Sequence, residues 1–171
     1  QTASSSSTID FTSNIDSTYD VYCFKFINIH PSTQSSFTVG FRDGGSSYDA
    51  VKTTTNFNAQ HNEADTSTNL GYEGTYDQAQ ATGYLTLDQQ GVGTDNDASL
   101  SGELYFYNPS STTFVKHFMS VTQHYHGSAW SMNTFVAGYC NTTTAIDGVQ
   151  FKMSSGNIDS GTIKLYGIKD S

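Results

Sequence analysis

Alternation with a period of two runs through this chain and restricts it to β structure. In residues 147–153, Val149, Phe151 and Met153 alternate with Gly148, Gln150 and Lys152; in residues 162–168, Ile163 and Leu165 alternate with Thr162, Lys164 and Tyr166. Such alternation places one set of side chains on each face of a strand. The intervening residues 154–161 (S-S-G-N-I-D-S-G) supply turn chemistry, so the chain is predicted to end in a strand–loop–strand hairpin. Residues 20–29 form the strongest strand pattern. Val21, Cys23, Ile27 and Ile29 fall on one face and Tyr22, Phe24 and Phe26 on the other, which predicts a central strand covered on both sides. Lys25 interrupts the first face, and Pro31 ends the run because it has no N–H to give to a ladder.

Further short strands are expected over 8–12, 37–41, 48–57, 83–87, 100–107, 113–122 and 134–140, with turn signals between them. Residues 58–80 show no clear strand pattern, and 77–81 suit one helical turn. Eight to ten strands without a long amphipathic helix predict an all-β, antiparallel β-sandwich of jelly-roll type. Residues 1–7 are Ser-rich and read as a flexible arm, or the join to a missing N-terminal part; the start at Gln1 rather than Met implies something upstream. Residues 8–171 read as a single sandwich domain. Phe24, Phe26, Phe114, Phe118, Phe151 and Leu165 are the expected core.

A net charge of −9 with only 7 Lys and Arg, none of them clustered, argues against nucleic acid and anionic membrane as partners. No apolar run is long enough for a membrane-spanning helix. Cys23 and Cys140 sit in apolar strand-like runs, where free buried thiols are the simpler reading than a disulfide.

Three clusters carry potential chemistry. His61, Glu63 and Asp65 would share a strand face as metal ligands, but a polar surface loop explains them better. Asp95, Asn96 and Asp97 are oxygen-rich, and turn formation accounts for them equally well. His124, Tyr125 and His126, followed by Trp130, form the best candidate receptor or interface loop, since aromatics with hydrogen-bonding neighbours stack on sugars and anchor contacts. No metal site, cofactor motif or catalytic constellation is expected: there is no nucleophile elbow, no phosphate loop and no convincing carboxylate pair.

The segments I-D-S-T-Y-D-V-Y (15–22), F-x-N-I-H-P (26–31), A-Q-H-N-E-A-D (59–65), L-S-G-E-L-Y-F-Y-N-P-S-S-T-T-F-V-K-H-F (100–118), V-A-G-Y (136–139) and S-S-G-N-I-D-S-G-T-I-K-L-Y-G-I (154–168) together resemble virion structural proteins of tailed bacteriophages, especially those of marine bacteria and cyanobacteria. The resemblance implies a non-enzymatic component of the virion surface, on a tail fibre or as a capsid decoration. Other virion proteins would be its partners, and a homotrimer its assembly. The alternative expectation is a lectin-like module that takes a host-surface glycan on the 124–130 loop.

Overall fold

The computed structural model describes residues 1–169. Twelve strands, numbered in chain order, form two antiparallel sheets that pack as a β-sandwich. The large sheet has the order β1 (Thr2–Ser6), β12 (Ile158–Ile168), β3 (Val21–Pro31), β8 (Leu100–Tyr107), β9 (Lys116–His126), β10 (Trp130–Cys140), β5 (Lys52–Asn62), β6 (Thr68–Tyr72). The small sheet has the order β2 (Ile9–Phe11), β11 (Gly148–Met153), β4 (Phe37–Arg42), β7 (Leu85–Thr86). The all-β antiparallel sandwich is the class the alternation predicts. Its division into eight strands against four, with β8, β9 and β10 as a meander, differs from the eight-strand double Greek key of a jelly roll.

Aromatic packing between the sheets forms the core. The ring of Phe151 on β11 lies 5.2 Å from those of Phe24 and Phe26 on β3, 5.6 Å from Phe37 on β4 and 6.2 Å from Phe11 on β2. Three of these four contacts are edge-to-face, a favoured geometry for ring quadrupoles. Phe41 makes a second centre, 5.0 Å from both Phe106 and Phe118.

Several expectations need correction. The two terminal strands are not a hairpin. β11 belongs to the small sheet and β12 to the large one, so residues 154–157 carry the chain across the sandwich. The Ser-rich start is not a flexible arm: Thr2–Ser6 pairs with β12, and the Gln1 amino group donates to the Ile163 carbonyl at 2.7 Å. Serine is poor in strand propensity, but an unpaired edge of β12 supplies the ladder it joins. The long stretch after residue 57 contains the second half of β5 and all of β6, and no helix occurs among the described residues.

Register also departs from simple alternation. A bulge in β3 between Phe26 and Ile29, with Asn28 at φ 51°, turns Ile29 into the core and leaves Ile27 40% exposed. β12 bulges opposite it at Gly161, where φ is 119° and a Cβ would come within 2.6 Å of the Asn28 carbonyl. Lys25 is explained by its outward position, where it pairs with Glu103 of β8. Phe24, Phe26, Phe118 and Phe151 are buried and Leu165 packs partly buried against them, whereas Phe114 is 69% exposed. β9 begins only at Lys116, so Phe114 lies in the preceding turn and outside the alternation.

Replacing Phe151 by Ala removes the ring that four others share, and is expected to cost about 3–5 kcal/mol. Urea denaturation would measure it; a loss below about 1 kcal/mol would show that the core closes around the gap.

Candidate functional site

The sequence-selected cluster lies at the β9–β10 hairpin, not in an open loop. His124, Tyr125 and His126 end β9, Gly127 to Ala129 make the turn, and Trp130 opens β10. The Ala129 N–H donates to the His126 carbonyl at 3.0 Å, with Ala129 at φ 61°, as a three-residue hairpin with a left-handed residue requires. Trp130 stands opposite His126, and Ser131 opposite Tyr125. Directly opposed residues share a face, so Trp130 and His126 lie on one side of the sheet and Tyr125 on the other. His126 Nδ1 accepts from the Ser128 N–H at 3.3 Å, and its Nε2 sits 3.0 Å from the Gln34 side-chain amide. His124 is buried, so it is unavailable to a receptor. The loop therefore does not present its aromatics as one platform.

The other clusters resolve as local structure. His61 Nε2 contacts Asp65 Oδ1 at 3.0 Å across the β5–β6 turn, which also holds Glu63. Asp95 begins a turn closed by the Ala98 N–H at 2.8 Å. Among the described residues, no group of three or more His, Cys, Asp and Glu is placed to hold a metal ion. Cys23 and Cys140 are free and buried. They lie on opposite faces of the large sheet: Cys23 shares a row with exposed Met119, and Cys140 stands opposite buried Lys116.

Beneath β9, β10 and β5 lies a buried polar layer. In register, Thr122 faces Thr134, and Thr134 faces Asn58; Ser120, Val136 and Asn56 form the next row, and all are buried. The segment after β7 lies over this layer. Thr122 Oγ1 donates to the Leu87 carbonyl at 2.5 Å, and Asp88 Oδ2 accepts from the Phe37 N–H at 2.7 Å. Burial pushes the Asp88 carboxyl up to about 7, against the lowering effect of that N–H. Burial likewise pulls the His124 imidazole down to about 4.

The opposite face of the large sheet is broad and open, with large apolar side chains set among polar ones such as Ser101, Gln123, Asn133 and Thr55. Eight of the nine large exposed apolar side chains lie on the outward face of its strands; Phe114 is the exception. One row runs Glu103, Val121, Phe135, Phe57, Tyr72 across β8, β9, β10, β5 and β6. In it Phe57 and Phe135 stack at 4.7 Å, nearly parallel at 6°. The neighbouring row carries Tyr166, Cys23, Tyr105, Met119 and Ala137. Where Ala137 and Gly138 follow one another, a depression of about 460 Å³ opens beside Tyr107, His117 and Tyr139. Sequence reading missed this face because its rows join strands far apart in the chain. The available signal was apolar residues at both parities of β9, Phe118 against Met119 and Val121.

No family model, curated protein or solved structure matches the chain.

The buried polar layer couples stability to pH in two opposed ways. His124 has a folded value below its ordinary 6.5, so stability falls as pH drops from 6.5 through about 4. Asp88 has a folded value above its ordinary 3.8, so its contribution is full at low pH and is lost as pH rises through about 7. Asp88→Asn keeps an acceptor for the Phe37 N–H without the buried charge. Its melting temperature relative to the parent should therefore climb between about pH 4 and pH 7 and then level off. A difference independent of pH in scanning calorimetry would show that Asp88 does not titrate in the fold.

Proposed function

We propose that the protein is a non-enzymatic structural module of a bacteriophage virion surface, on a tail fibre or the capsid exterior, that acts by contact with other particle proteins. The observation that carries the contact role is the outer face of the large sheet. Exposed apolar patches beyond a few hundred Å² mark interaction surfaces rather than solvent-facing ones. Its Tyr, Phe and Met are the residue types enriched in interface cores, and its scarcity of charge fits the same environment. The virion assignment rests on the resemblance of the segments between residues 15 and 168, which also favours a three-fold assembly.

Glycan binding is a second reading, favoured by the depression beside Tyr107, His117 and Tyr139, where aromatic rings border an apolar floor suited to a sugar face. It moves the alternative away from Tyr125 and Trp130, which point to opposite sides of the sheet.

Antibodies against the recombinant chain should label the surface of density-purified phage particles from a host culture that carries the coding sequence. The chain should also appear in their proteome. Recovery of the chain only in the soluble fraction, with clean particles, would overturn the virion reading.

A further inference from the structure

We infer that the outer face of the large sheet is covered by a further copy of this same chain, with Phe57, Met119, Val121 and Phe135 at the centre of the contact. This deepens the structural reading above by naming the partner and the surface. Three observations support it.

The first is area. Eight strands about 4.8 Å apart and up to about 30 Å long span on the order of 1,000 Å². A stable protein–protein contact needs about 800 Å² from each partner. One face therefore suffices, without help from loops or edges.

The second is charge. The chain carries −9 in all, and two copies repel through most approaches. On the outward positions of β3, β8, β9, β10 and β5 the only Asp or Glu is Glu103, and Lys25 pairs with it. Lys164 lies beside this pair on β12. Across these five strands a second acidic copy meets almost no net negative charge. A basic partner would find little to attract it there.

The third is preorganisation. The central side chains stand on long paired strands, and Phe57 and Phe135 are already stacked. Little rotamer freedom remains to be lost on association. Two copies face to face and three around an axis both bury these side chains, so either closed form satisfies the proposal.

Sedimentation equilibrium on the full chain tests this. The expected mass is two or three times 18.6 kDa at micromolar concentration. The double variant Phe57→Thr, Val121→Glu should be monomeric under the same conditions, with the circular dichroism and melting cooperativity of the parent. Should that variant fail to fold, Met119→Lys alone is the fallback, since Met119 is 55% exposed and its side chain points outward. A parent that stays monomeric, or a folded face variant that stays associated, overturns the proposal. So does a monomeric parent that binds a glycan through Tyr107 and Tyr139. None of these outcomes touches the particle assignment, which labelling and proteomics decide separately.

Discussion

An eight-stranded sheet has more inner face than four strands can cover. That mismatch governs the rest of the molecule. The small sheet lies over the half built from β12, β3 and β8, where its Phe37 and Phe151 meet Phe24 and Phe26. The other half, under β10 and β5, must be closed by something else. The chain closes it with the segment that follows β6. That segment first runs along β5, with Thr54 N–H on the Gln78 carbonyl and Lys52 N–H on the Ala81 carbonyl. It then passes under β9 through Leu87 and Asp88.

Irregular backbone brings its own polar groups inside, and the sheet beneath answers in kind. Asn56, Asn58, Thr122 and Thr134 occupy positions that would be Val or Leu under a second sheet. Two fully buried lysines complete the closure: Lys52 Nζ donates to the Ala50 carbonyl at 2.7 Å and Lys116 Nζ to the Thr142 carbonyl at 2.9 Å. Burial lowers the affinity of both amines for their protons. Not every group is matched. Among the described residues, both ring nitrogens of His124 and both side-chain polar atoms of Asn56 lack partners. A buried polar group without a partner costs stability, whereas the aromatic half has few polar groups to satisfy.

This division explains which parts were legible in the sequence. Alternating apolar residues in 20–26, 37–41, 100–106 and 149–153 announced the aromatic half, and those strands stand where the pattern put them. Polar inward residues carry no such signal. The second half of β5 therefore carries no strand signal, since Asn58 and Gln60 look solvent-facing until a covering segment is known. The hairpin at His124 to Trp130 failed similarly: histidine and tyrosine in a polar setting suggested exposure, and His124 instead faces inward. The bulge at Asn28 was hidden because a positive-φ asparagine inside a strand is indistinguishable in sequence from an ordinary one. Sheet membership was beyond reach altogether: a short loop after β11 reads as a hairpin whether or not the chain changes sheets.

The edges of the sandwich bear on how it can meet other molecules. Long, flat edge strands template open-ended pairing. Here the terminal strands are short: β1 and β6 have five residues each, β2 has three and β7 has two. β1 is further bent by Ser5 at φ 47° and is made largely of serine. Apart from the stretch of β12 beyond Ile163, which β1 does not cover, such edges offer few free backbone groups, whereas the outer face offers a continuous array of side chains held on strands of up to eleven residues. Side-chain contact through a face is limited by shape and stops when the face is full. Backbone pairing at an edge repeats without limit. A chain with blunt edges and one neutral apolar face is therefore biased toward closed assemblies of few copies, and away from the fibrous growth that so much β structure would otherwise invite.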